Sequence, residues 1–174
     1  MNVTRQTLLL GWGLTVTGAY LLTEYLGHAL EEPHSAILWT WAGAMLLPVG
    51  LTLALGRQAN ALGWVWAGAT ALVLLENFGA HAAEVKLLMQ FSFHALWFLF
   101  GAAGFAYTAM AVKGTARKQL YAGAALLNLL GAIMAGLNPN FLKGYQYLVL
   151  ALIQGVPMLL DLPLRRQHEV PVNH

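Results

Sequence analysis

Six stretches of about twenty apolar residues follow one another along this chain, joined by connections only a few residues long. A helix rises about 1.5 Å per residue, so each stretch is long enough to carry an α-helix through a hydrocarbon core roughly 30 Å thick. They fall at residues 6–29, 36–56, 61–82, 87–112, 118–137 and 143–164. None shows the continuous polar face that a helix on a soluble surface would need. Composition agrees: 59% of the 174 residues are hydrophobic and 9% are charged, where soluble domains carry about 25% charged residues. Mean hydropathy is +0.61. The expected fold is therefore all-α, a polytopic membrane helical bundle of six transmembrane spans over residues 1–164, with a short tail at 165–174.

The breaks between spans have a chemical cause. Glu31-Glu32-Pro33, Gly56-Arg57-Gln58, Lys113-Gly114-Thr115 and Asn138-Pro139-Asn140 each combine charge or polarity with a helix-breaking residue. Connections this short make successive helices antiparallel. Gly27-His28-Ala29 loosely imitates a signal-peptide cleavage site, but Glu24 interrupts the apolar region before it, so residues 6–29 are expected to be a retained first span. Basic residues in short loops orient such a bundle. Arg5, Arg57, Lys113, Arg117, Lys118, Arg165 and Arg166 fall on one side, and only Lys86 and Lys143 on the other. This predicts an integral protein of a cell or inner membrane with both termini cytoplasmic.

That orientation sends five of the seven acids (Glu24, Glu31, Glu32, Glu76, Glu84) and four of the six histidines (His28, His34, His81, His94) toward the opposite, extracytoplasmic face. A charge near the centre of a span costs at least about 2.5–3.5 kcal/mol, so such residues turn toward a protein interior or a polar cavity. Glu24 and His28 stack at i, i+4, as do Gln90 and His94. Asn77, His81 and Glu84 share a stripe on the third span, while Glu76 points about 140° away from His81 toward another neighbour. Three spans thus present titratable groups at similar depth.

Imidazole and carboxylate together suit zinc, iron or copper; the absence of cysteine removes thiolate sites, Fe–S clusters and disulfides. The expected site is a metal or haem centre built from His28, His81 and His94, with Glu24 and Glu76 as carboxylate ligands or acid–base groups. A bound metal would permit hydrolysis through an activated water, or redox chemistry. Haem is the weaker fit, because this face offers little Arg or Lys to meet propionates. The plainer reading treats His28, His34, Glu31, Glu32 and Glu84 as solvated residues at helix ends and in loops. No His-Glu-x-x-His motif is present, and the spacing of His81 and Glu84 only echoes ligand spacing.

The odd-numbered spans also resemble one another. Leu22-Thr23-Glu24-Tyr25-Leu26-Gly27, Leu74-Leu75-Glu76-Asn77-Phe78-Gly79 and Leu126-Leu127-Asn128-Leu129-Leu130-Gly131 recur at an offset of 52 residues. This suggests three tandem helical hairpins, in which Glu24, Glu76 and Asn128 are equivalent.

Other polar residues have structural readings. Asn128 and Gln154 lie at nearly equal depth and are expected to hydrogen-bond each other, and Asp161 to pair with Arg165 four residues on. Trp39, Trp41, Tyr145 and Tyr147 are expected in an interfacial aromatic belt, with Trp12, Trp64, Trp66 and Trp97 deeper. Ser92 is two residues from His94, on the wrong face of a helix to pair with it, so serine catalysis is not expected.

The basic residues are too scattered for a nucleic-acid surface, despite a pI near 9.0. Three functions suit these features: a membrane metalloprotein, in one form an enzyme acting on a lipid, isoprenoid or quinone-like substrate; a small proton-coupled transporter; or a structural subunit of a larger membrane complex. Membrane lipid is the expected surrounding partner in each, and a homo-oligomer or larger complex is compatible with loops this small.

Overall fold

The computed structural model describes residues 5–56, 61–138 and 140–169. They form six long helices: α1 (Arg5–Ala29), α2 (His34–Leu55), α3 (Ala61–Ala83), α4 (Lys86–Ala111), α5 (Thr115–Leu137) and α6 (146–169). Five of them, α2 to α5 and the Gln146–Leu164 part of α6, are long and apolar enough to cross a membrane. The protein is thus an all-α, polytopic helical bundle suited to lipid. Its outward surface agrees, since Leu46, Leu72, Leu75 and Met110 are each more than two-thirds exposed. In water such a surface would drive association. The expected breaks at Arg57-Gln58 and at Pro139, and the tail beyond Glu169, lie outside the described residues.

Each helix packs against its chain neighbours, and α1 also packs along α6, so the six close into a ring. Aromatic side chains fill its middle. Tyr20 meets Trp41 edge-on, with ring centroids 4.6 Å apart, and Trp41 stacks on Trp97 at 4.8 Å. Trp41 is therefore core rather than interfacial belt; it is 3% exposed, whereas Trp39 and Tyr145 are 71% and 66% exposed. The cause is local: the Trp41 indole N–H donates to the Thr23 hydroxyl of α1 at 3.0 Å, satisfying its one polar atom inside the bundle.

Buried amides tie the ring together. Gln154 Nε2 donates to Asn128 Oδ1 at 2.7 Å and to the Trp97 carbonyl at 2.9 Å, while its Oε1 accepts from the Tyr20 hydroxyl at 2.8 Å. The expected α5–α6 bond is present and extends to α1 and α4. Each such bond contributes about 0.6–2 kcal/mol in a membrane protein. Gly101 makes room for this node, because a Cβ there would collide with both amide side chains.

Two helices contain a π-turn, Phe91–Ala95 in α4 and Ala151–Gly155 in α6. A π-turn admits one extra residue per turn, so side chains on either side of it no longer follow the 3.6-residue period. At the end of the bundle away from the acids and histidines, buried Asp161 accepts Nε–H of Arg117 at 2.5 Å, Nη2–H at 2.7 Å and the Tyr121 hydroxyl at 2.9 Å. The partner expected from spacing, Arg165, has a side chain outside the described ones. The cation found on Asp161 among the described side chains is Arg117 of α5.

Candidate functional site

The acids and histidines singled out above gather at the end formed by the α1–α2, α3–α4 and α5–α6 connections. They sort into two groups with different chemistry.

The first group surrounds Glu24. Helix α6 begins at Gln146 with no side-chain cap of its own, which leaves its first N–H groups without helical partners. Glu24 of α1 supplies one: Oε2 accepts the backbone N–H of Tyr147 at 3.0 Å and of Leu148 at 3.3 Å. Its other oxygen accepts from His28 Nε2 at 3.2 Å, and the same nitrogen donates to the Gly144 carbonyl at 2.9 Å. Gly144 has a φ of +84°, so only glycine takes this turn without strain. Glu24 is thus a cap borrowed from another helix, with its charge against the positive end of the α6 dipole. His28, on the outer side of the pair, is 61% exposed. Replacing Glu24 by alanine is expected to cost about 0.5–2 kcal/mol, the usual loss for a removed cap, measurable as a lowered unfolding midpoint in detergent; Glu24→Gln should recover part of it.

The second group lies between α2, α3 and α4. The first residue of α2 is His34, following Pro33, so it belongs to a helix and not to a loop. Its ring lies 6.5 Å from that of His81, nearly parallel, and 4.9 Å from Phe93. It is also within electrostatic range of both His81 and His94. His81 Nε2 is hydrogen-bonded to the Ser35 hydroxyl at 3.0 Å, while its Nδ1 is buried with no hydrogen-bond partner among the described residues. His94 Nδ1 donates to Oε1 of buried Gln146, whose Nε2 in turn donates to the Phe93 carbonyl at 3.0 Å. An accepting amide oxygen on Nδ1 fixes the tautomer and leaves Nε2 of His94 with a free lone pair.

Beside this group, Glu76 accepts from the Ser92 hydroxyl at 2.5 Å and from Asn77 Nδ2 at 2.8 Å. Asn77 Oδ1 accepts the Trp97 indole N–H at 3.0 Å. The α3 stripe of Asn77, His81 and Glu84 is therefore divided: Asn77 turns to α4 and His81 to α2, because α3 is wedged between those helices, while Glu84 is exposed beyond the helix end. Glu76 does face a different neighbour from His81, as its angular position implies. Ser92 is the partner of a carboxylate rather than of a histidine.

The structure brings His81 and His94 into one neighbourhood. It places His28 elsewhere, on Gly144 and Glu24, and adds His34, whose position before an apolar run reads equally well as loop. Glu24 and Glu76 fall in separate hydrogen-bonded groups. Among the described residues no three His, Asp or Glu side chains converge as closely as ligands around a bound metal. Comparison with protein-family models, curated proteins and solved structures finds no match to this chain.

Proposed function

We propose that this chain is a six-span integral membrane protein whose histidine-rich end binds a transition-metal ion (zinc, copper or iron), with His34, His81 and His94 as the imidazole ligands. One observation carries the reading: two imidazoles in this neighbourhood keep a nitrogen uncommitted while the other nitrogen is held. His94 is oriented through Nδ1 by a buried amide, the arrangement that metal-ligating histidines use to fix ring and tautomer. His81 is held through Nε2 and keeps Nδ1 free. Metal–nitrogen bonds of about 2.0–2.1 Å set ligating rings about 5 Å apart, centre to centre. The His34–His81 separation of 6.5 Å is within a rotamer adjustment of that. Glu76, held by the hydroxyl of Ser92 two residues before His94, is the acid–base group of this reading. A metal here would be suited to a lipid-soluble substrate entering from the surrounding bilayer. Haem remains the other form of the same proposal, and its optical spectrum distinguishes it.

The tandem-hairpin reading is part of the proposal. In its favour, an indole of the second helix donates to a polar side chain of the first in two hairpins, Trp41 to Thr23 and Trp97 to Asn77. Those acceptors lie one residue from Glu24 and Glu76, though on opposite sides of the position matched by the repeat.

The test is elemental analysis of the purified protein followed by Co2+ titration, read from the visible d–d bands of the bound ion. About one equivalent is expected to bind, with affinity at least tenfold lower in His34→Ala and His81→Ala, in line with loss of one ligand. His28→Ala should bind as the parent does. Equal binding by all the variants, or loss only in His28→Ala, would refute the assignment. A Soret band in the untreated protein would select haem.

A further inference from the structure

Two of the buried indoles in the aromatic middle of the bundle are satisfied in the same way. Trp41 of α2 donates to the Thr23 hydroxyl of α1, and Trp66 of α3 donates to the Thr108 hydroxyl of α4, each at 3.0 Å. In both pairs the threonine gives its own proton to the carbonyl one turn back in its helix, Ala19 at 2.8 Å and Gly104 at 2.7 Å. Thr17 and Thr52 turn back on their helices likewise, toward Gly13 and Pro48. This is the usual outlet for a threonine hydroxyl inside a helix.

Thr70 departs from the pattern. It lies within α3 and is 2% exposed, yet its Oγ1 has no hydrogen-bond partner among the described residues, its own helix included. Trp12 of α1 is its counterpart, 6% exposed and with its indole Nε1 equally unpaired. Buried polar groups are ordinarily paired. Both residues line one small gap in the aromatic core, beside Trp41, Trp66 and Trp97. The free space there is about 10 Å³, room for about one water molecule.

The chemistry of the wall selects among occupants of that size. Apolar voids stay dry. This one carries an indole donor, a hydroxyl and Gln154, whose side-chain oxygen takes one bond from Tyr20 and has a second lone pair. An ion would meet no charged side chain in the wall to offset its desolvation. Water accepts from an indole and takes either role with a hydroxyl. We propose that one buried water molecule completes a third indole–threonine link, accepting from Trp12 Nε1 and bonded to Thr70 Oγ1. It ties α1 to α3, helices that are not neighbours in the chain. The link uses none of the residues of the metal reading and stands or falls without it.

The direct test is a crystal structure of the full-length protein at a resolution that shows ordered water. One peak of density is expected within about 2.5–3.2 Å of both Trp12 Nε1 and Thr70 Oγ1. An empty gap, or a direct bond between the two side chains, would overturn the proposal. Ultraviolet resonance Raman spectroscopy of the detergent-solubilised protein is the second measurement, because an indole band shifts when its N–H is hydrogen-bonded. Subtracting the spectrum of the same protein carrying Trp12→Phe isolates Trp12. Its band is expected at the bonded position in the parent and at the free position in Thr70→Val, which keeps the side-chain shape and loses the hydroxyl. A free position in the parent would mean a dry gap. A bonded position in Thr70→Val would mean that the Trp12 bond does not run through Thr70. Either result would sink the link.

Discussion

Substituting Arg117 by leucine is expected to lower the stability of the folded bundle by about 3–5 kcal/mol, the usual result of removing one partner from a buried ion pair. Asp161 is 1% exposed and takes two hydrogen bonds from that guanidinium. Without it the carboxylate keeps only the Tyr121 hydroxyl among the donors described here, and a single neutral donor does not offset the desolvation of a full charge. The measurement is the midpoint of unfolding in a denaturing detergent titration. The double variant Arg117→Leu with Asp161→Leu should recover much of the loss, since an apolar pair of similar volume often replaces a buried ion pair at little cost. A single variant as stable as the parent would show that the pair is solvated and contributes little.

The second large effect is expected at Gly101. Adding a single methyl group there places carbon 2.7 Å from Asn128 Cγ and in collision with the Asn128 oxygen and Gln154 nitrogen. Neither amide can retreat freely, because Asn128 also donates to the Ala124 carbonyl at 2.9 Å and Gln154 is bonded to Trp97 and Tyr20. Overpacking a filled interior costs about 1–3 kcal/mol, and separating the two amides adds about 1–3 kcal/mol for buried groups left without partners. Gly101→Ala should therefore rank with the ion-pair variant in the same unfolding assay. Gly123→Ala on the adjoining helix, where a Cβ meets nothing within 4 Å, should be close to neutral. Similar losses for the two would remove the amide node from the account of stability.

Much of the fold is legible in the sequence because lipid imposes a simple rule. Apolar runs of helical length separated by Pro33, Gly56 and Gly114 mark helix ends to within a few residues. The Asn128–Gln154 bond is legible too, since two amides at equal depth in adjacent spans have little else to bond. The site was harder to read, for three physical reasons. Glu24 looks like a buried acid seeking a ligand, and only the arrival of the α6 N-terminus beside it reveals a cap; no local signal in α1 announces a contact 123 residues away. His34 follows a proline and precedes an apolar run, which reads as loop until the chain is seen to start its helix there. His28 has the right spacing from Glu24 but lies on the outer face, and one helical wheel does not tell lipid or solvent from neighbour.

The π-turn at Phe91–Ala95 has a consequence of its own. On a regular helix Gln90 and His94 would lie one above the other, whereas the bulge between them puts the two out of phase by about 100° per inserted residue. The register of Lys86–Gln90 relative to the histidines is thus set by one surplus residue. Losing any single position from that stretch would leave composition, hydropathy and length almost untouched, yet would turn the whole tip of the helix like a key in a lock. Among chains built to this plan, a gap of one residue at this point would therefore mark a different molecule more surely than many substitutions elsewhere.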